Sequence, residues 1–187
     1  MEAGMEGRHG SKLVVFVGAE STGKSTLALH LARQCGTAFV PEIGRFIWED
    51  KRGQLDAADY VEIAERHRDA EDAALAQAQG PYVFVDTNAL TTLLLGRCFG
   101  QVPDPAPPAL LRHAIDCRTR YLHHFVCADD IPYEEEPGVR EHADWRTRIQ
   151  KLVLKDLDAR GIAFTVLTGT VEQRAARVMQ VLEDLAA

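Results

Sequence analysis

The chain has 187 residues, 46% of them hydrophobic and 26% charged, values of an ordinary globular domain with enough apolar material to build a core. Acidic residues outnumber basic ones by 28 to 21, giving a net charge of −7, the wrong sign for a protein that wraps a nucleic-acid backbone. No apolar run approaches the roughly 20 residues that span a bilayer, and Cys35, Cys98, Cys117 and Cys127 stand singly, without the paired spacing of a zinc site. Residues 1–11 form a polar lead that lacks the apolar centre of a signal peptide. A cytoplasmic protein with reduced thiols is therefore expected, with neither nucleic acid nor membrane as partner; a homo-oligomer is compatible with the sequence but not specified by it.

Residues 12–187 read as one domain. Leu13 to Val17 is a continuous apolar run ending at Gly18, the pattern of a strand covered on both faces. Lys24 to Cys35 then places Leu27, Leu31, Ala32 and Cys35 at helical spacing, and Thr37 to Val40 is a second, brief strand. From Asp56 to Gln79, Tyr60, Ile63, Ala64, His67, Ala70 and Ala74 recur with helical period, until Gly80 and Pro81 stop the helix. Tyr82 to Val85 is a third strand ending on Asp86, with Thr87 and Asn88 opening the next helix. The four prolines between Gly100 and Pro108 require a loop. A helix over Ala109–Cys117, a strand over Tyr121–Cys127, a helix over Trp145–Arg160 closed by Gly161, a strand over Ile162–Leu167 and a helix over Val171–Leu185 complete the series. Strands alternating with helices predict an α/β three-layer sandwich around a mainly parallel five-stranded sheet.

The strongest chemical signal is Gly18-Ala19-Glu20-Ser21-Thr22-Gly23-Lys24-Ser25, which fits GxxxxGK[ST] and lies where that motif must lie, between a strand and a helix. Its glycines let successive backbone amides curl around a phosphate at a helix N-terminus. Lys24 offers a point charge to the β- and γ-phosphates of ATP, the Ser25 hydroxyl a ligand for Mg²⁺, and Thr26 follows on the same turn. A chain of this net charge must gather its cations locally to hold a polyanion, so Lys24, Arg45 and Arg140 matter more than the total.

Asp86 leaves the carboxyl end of a central strand, the edge where open α/β sheets bind ligands. There it can hold the metal or accept a proton during phosphoryl transfer, although Asp is also a common helix N-cap. Glu42 and Arg45 follow the second strand at the same edge and can grip an acceptor substrate, or form an exposed ion pair. Trp48 can offer an aromatic face to a ring or fill the core. Residues 129–142, with the run Asp130-Ile131-Pro132-Tyr133-Glu134-Glu135-Glu136-Pro137-Gly138-Val139-Arg140, have the look of a lid that brings Arg140 onto the γ-phosphate and excludes water, and Arg146 and Arg148 flank it. His67, His123 and His124 make no ligand spacing and are assigned to packing or surface roles.

Five segments together resemble the nicotinamide riboside kinase domain found at the C-terminus of bacterial NAD-metabolism regulators of the NadR type. They are GAESTGKSTL at Gly18–Leu27, EIGR at Glu42–Arg45, DYVEIA at Asp59–Ala64, FVDT at Phe84–Thr87 and DIPYEEEPGVR at Asp130–Arg140. The resemblance implies a P-loop NTPase sheet in the order 2-3-1-4-5, ATP and Mg²⁺ as cofactors, and transfer of the γ-phosphoryl group to the 5′-hydroxyl of nicotinamide riboside. It implies phosphate contacts from Gly18, Glu20 to Thr26 and Lys24 in particular, metal contacts from Ser25 and Asp86, substrate contacts from Glu42, Arg45, Trp48 and Asp86, and catalytic roles for Lys24, Asp86 and Arg140. Ile43 stands where the family's EYGR carries an aromatic, and Pro137 where an aspartate is common. With about eleven residues ahead of the first strand, the DNA-binding and adenylyltransferase modules of longer family members are expected to be absent. Two other readings fit the phosphate cradle alone: a kinase of another nucleoside or a nucleotide, and a non-catalytic ATP-binding module that reports to a partner.

Overall fold

The computed structural model describes residues 10–132 and 143–187. Five strands, β1 (Lys12–Val17), β2 (Phe39–Val40), β3 (Tyr82–Asp86), β4 (Tyr121–Cys127) and β5 (Phe164–Leu167), form one sheet in the order β2-β3-β1-β4-β5. Every pairing is parallel, so the sheet is wholly rather than mainly parallel. Parallel neighbours need crossovers, and the helices supply them: α1 (Lys24–Cys35), α2 (Ile43–Asp50), α3 (Ala57–Gln77), α4 (Ala89–Cys98), α5 (Pro108–Arg120), α6 (Ala143–Ala159) and α7 (Val171–Ala186).

Side-chain alternation along the strands divides the core in two. Leu13, Val15 and Val17 join Val83, Val85 and Val126 in a layer covered by α3, α4, α5 and α6 through Tyr60, Leu93, Leu110, Ile149 and Val153. Val14 and Phe16 face the other way, with Phe84 and Phe125, against Leu27 and Leu31 of α1 and Val178 and Leu182 of α7. Phe16 is the centre of that second layer, its ring 5.7 Å from Phe125 and 6.1 Å from Phe84. Each side chain of this size taken out of water stabilises the fold by about 1.5–3 kcal/mol. This is the three-layer architecture and strand order of P-loop NTPases.

The order also fixes where a ligand can go. The chain leaves β1 toward one edge through β2 and β3, then crosses over β1 to β4, so the carboxyl ends of β1, β3 and β4 surround a topological switch point. Local sequence places the helix starts there. Asp56 accepts from the Ala58 and Asp59 amides in a capping box that opens α3, and Thr170 with Gln173 does the same for α7. Among the described residues, no helix is long and apolar enough to cross a membrane.

Candidate active site

The loop between β1 and α1 takes the backbone conformations its glycines foretell. Gly18 has φ 141° and Gly23 φ 81°, both in the region that side chains avoid. A Cβ on Gly18 would lie 2.7 Å from the Cys127 carbonyl oxygen, so the loop passes too close to β4 for any other residue. Ser21 sits between them at φ 54°. Lys24, the first residue of α1, is buried and its Nζ donates to the Ala19 carbonyl at 2.7 Å; the Thr22 hydroxyl donates to the same oxygen at 2.8 Å.

Asp86 ends β3 with its carboxylate buried, and the Ser25 hydroxyl donates to its Oδ2. The helix N-cap that competes for this residue's role belongs to Asn88, whose side chain accepts from the Thr91 amide at 3.0 Å. Two oxygen donors from opposite walls therefore meet at the base of the loop, a set that suits a hard cation. Among the described residues no group of three or more His, Cys, Asp or Glu side chains would hold a metal alone. A Mg²⁺ at Ser25 and Asp86 would accordingly complete its shell with phosphate oxygens and water, its usual habit.

A cleft of about 570 Å³ runs from this point along α2 to α4. Gly18, Glu20, Ser21, Thr22, Gly23, Lys24, Ser25 and Thr26 line its phosphate end, and Glu42, Arg45 and Trp48 line the other wall. Asp86 lies beneath the floor, represented in the lining by its neighbour Thr87. Glu42 is half-buried; burial pushes its carboxyl above the ordinary range, Lys24 and Arg45 pull it down, and the charges of Asp86 and Glu20 push it up further, with a net rise. Arg45 makes the exposed pair with Glu49 that a helical i,i+4 spacing allows, at 3.1 Å, while also facing the cleft. The Trp48 indole packs on the turn at Gly53, where a Cβ would meet it at 3.2 Å. Arg140 and the greater part of the predicted lid, residues 133–142, lie outside the described residues; Ile131 and Pro132 line the cleft mouth.

Three buried polar side chains behind the loop escaped the sequence reading as functional residues. Gln150 on α6 accepts from the Ala19 amide at 2.8 Å and donates to the Cys127 carbonyl at 3.0 Å, tying the loop to the end of β4. Arg146, one turn earlier, donates to the carbonyls of Ser21 at 3.1 Å and Ile131 at 3.0 Å. Arg174 on α7 donates to the carbonyls of Thr22 at 2.6 Å, Gly169 at 3.0 Å and Ala128 at 3.3 Å, and pairs with Asp130. A signal for two of them exists: Arg146 and Gln150 share the inward stripe of α6 with Ile149, Val153 and Leu157, and a polar residue on an apolar stripe demands a buried partner.

A sequence model described as an AAA domain matches residues 13–174. Among curated proteins none matches the sequence significantly. Among solved structures, the NadR protein in complex with NAD and AMP-PNP superposes with a TM-score of 0.75 at 23% identity, over 95% of this chain and 50% of that one. The NadR protein in complex with NR gives 0.73 at 23% identity, over 95% and 52%. Thymidylate kinase from Ehrlichia chaffeensis gives 0.63 at 17% identity, over 93% and 99%. The chain spans about half the length of the NadR chains it matches. At these identities what is shared is the fold.

Proposed function

This chain belongs to the AAA domain family, and from that membership and its site we propose that it is an ATP-dependent kinase that phosphorylates the 5′-hydroxyl of nicotinamide riboside, giving nicotinamide mononucleotide and ADP. The observation that carries the reading is the bond from Ser25 to Asp86 at the foot of the phosphate loop, opening into a cleft that continues past Glu42 and Trp48. A nucleotide-binding loop alone needs no such second chamber. A kinase does, for its acceptor.

In this mechanism the amides of residues 20–25 and the N-terminus of α1 hold the β- and γ-phosphates, and Lys24 leaves the Ala19 carbonyl for them. Mg²⁺ held by Ser25 and Asp86 would neutralise charge on the transferring group. Asp86 is committed to Ser25, so the proton of the acceptor hydroxyl passes to Glu42, whose raised carboxyl suits a base. Arg45 steadies the acceptor, and Arg140 supplies a cation from the lid. The far wall is aromatic, with Trp48, Tyr60, Phe99 and Trp145; such faces suit a flat cationic ring like that of a nicotinamide riboside. The likeness to a NadR structure solved with NR supports the same acceptor.

The test is ADP release from ATP and Mg²⁺ by the purified protein, alone and with nicotinamide riboside or a panel of other nucleosides and nucleotides, with Lys24→Ala as control. Turnover that requires nicotinamide riboside and disappears in the control is expected. Turnover with another acceptor only, or ATP binding without any acceptor-dependent turnover, refutes the assignment.

A further inference from the structure

We propose that Tyr60 determines which acceptors the cleft admits: its ring, seated against Gly96 and tied to Gln101, is the fixed inner wall that admits nucleosides with a single-ring base and turns away two-ring bases. The inference rests on the reading of the cleft beyond Glu42 as the acceptor's chamber.

Exposure orders the apolar lining by depth. Phe99 is 54% exposed and Trp145 half-buried, with their rings 5.3 Å apart, so this pair stands at the outer end. Tyr60 and Ile63, each 4% exposed, close the inner end. The same cleft of about 570 Å³ also has to take the transferring phosphates and a metal with its water. The position of the inner wall therefore decides how large a ring system fits in what remains.

A wall selects by size only where it cannot yield, and Tyr60 is held from three sides. Its backbone belongs to the first turn of α3, where Asp59 closes the capping box with Asp56 and also pairs with Lys51. Its hydroxyl donates to Gln101 Oε1 at 2.5 Å; burial, with the charge of Asp59, pushes the phenol up to about 12, so it stays a donor. Gln101 is anchored in turn, its amide donating to the Gly96 carbonyl at 2.9 Å. On the third side, a Cβ on Gly96 would stand 2.9 Å from the edge of the Tyr60 ring and would press on Val102 as well. Glycine weakens a helix interior relative to alanine; within α4 it provides the room this ring occupies. Gln101 lies outside the cleft, so the hydroxyl is spent there and the ring is what an acceptor meets.

The test titrates nucleosides into the protein saturated with ADP and Mg²⁺, so that the donor site is filled. Nicotinamide riboside and cytidine supply single-ring bases, adenosine and guanosine two-ring bases. The fluorescence of Trp48 and Trp145, the chain's two tryptophans and both on the cleft, reports binding. Wild type is expected to bind the single-ring pair about tenfold or more tightly than the two-ring pair, a ratio within reach of selection by the shape of an apolar pocket. Tyr60→Leu, which moves the wall back, should cut that ratio by about tenfold, chiefly by tightening the two-ring nucleosides. Tyr60→Phe keeps the ring but frees it from Gln101, and should cut the ratio by about threefold, the scale of one hydrogen bond. Equal affinity for the two classes in wild type, no binding of any of the four, or a ratio unchanged in Tyr60→Leu overturns the proposal. If Tyr60→Leu does not fold, an unchanged ratio in Tyr60→Phe overturns it instead. Because binding is read, the kinase assignment can fail for want of turnover on nicotinamide riboside while the wall stands, and turnover with no difference between the two classes has the reverse meaning.

Discussion

Replacing Gln150 with methionine tests whether the phosphate loop is held from behind by α6. The side chain is buried, and so are the two backbone groups it serves, the Ala19 amide and the Cys127 carbonyl, bonded at 2.8 and 3.0 Å. Methionine keeps the volume and loses both bonds. Each buried backbone group left without a partner costs about 1–3 kcal/mol, partly offset by the apolar gain, for a net loss of about 3 kcal/mol. In a protein of this size that lowers Tm on the order of 10 °C. The lost Ala19 contact should also loosen the loop, weakening ATP by about tenfold for each 1.4 kcal/mol transferred to the binding step. Urea unfolding with and without ATP measures both. Stability within about 0.5 kcal/mol of wild type, the range of an ordinary surface substitution, together with unchanged ATP affinity, would refute the reasoning.

Burial lowers the His124 pKa to about 4, with His123 adding in the same direction. The unfolded state then binds more protons below the ordinary His value of about 6.5, so stability is full above it and falls by up to about 3 kcal/mol as pH drops toward the folded value. His124→Phe should flatten that part of a urea-midpoint profile; an unaltered slope would assign the loss to other groups. For Asp130, burial pushes the carboxyl up but the Gly169 amide and the Arg174 guanidinium outweigh it, leaving it below the ordinary range. Its contribution is present above the unfolded value of about 3.9 and lost as pH falls through the folded one. Asp130→Asn should therefore be destabilised at neutral pH, with the gap to wild type closing in acid; a gap independent of pH contradicts this. Glu42 is raised, so as the base it must lose its proton before turnover begins, and the acid limb of kcat/KM should lie above the ordinary Glu value of about 4.3. Glu42→Gln should abolish that limb and lower kcat by about a hundredfold or more; retention of both rules Glu42 out as the base.

The sheet and its flanking helices were legible because their signals are local. The bounds of α1 follow from the spacing of Leu27, Leu31 and Ala32 between two left-handed glycines, Gly23 and Gly36. Helix α2 was not foreseen. Its eight residues have one buried side chain, Ile47, while Phe46 is 49% exposed, and its N-cap Glu42 makes no capping bond. Two turns without a start signal or a clean stripe leave nothing for a periodicity argument to grasp. The strand order came from the resemblance in the motifs, since alternation of elements alone does not distinguish one doubly wound order from another. At the site, the motif residues and Asp86 were legible by position, whereas Arg146, Gln150 and Arg174 were not assigned: their partners are loop carbonyls and amides far along the chain, and such partners leave no mark in side-chain spacing.

The polar side chains behind the loop also reconcile a net charge of −7 with a site for a polyanion. In a trans peptide the carbonyl and the following amide point in opposite directions. Arg146 holds the Ser21 carbonyl and Arg174 the Thr22 carbonyl, so the amides of Thr22 and Gly23 are turned away from those guanidinium groups. Fixing carbonyls on one side thus orients donors on the other, the geometry that an anion-binding loop requires. The same two arginines, at 5% and 3% exposure, place positive charge at the back of the loop where water screens it little. Local field, not overall charge, decides where phosphate binds, and here it is built from residues that also hold the loop's carbonyls. Replacing Arg174 with lysine keeps the charge but cannot reach three carbonyls at once. It should therefore weaken ATP in calorimetry far more than the loss of a surface arginine such as Arg66, and equal effects from the two would show that the field alone, without the orientation of the loop, is what the site needs.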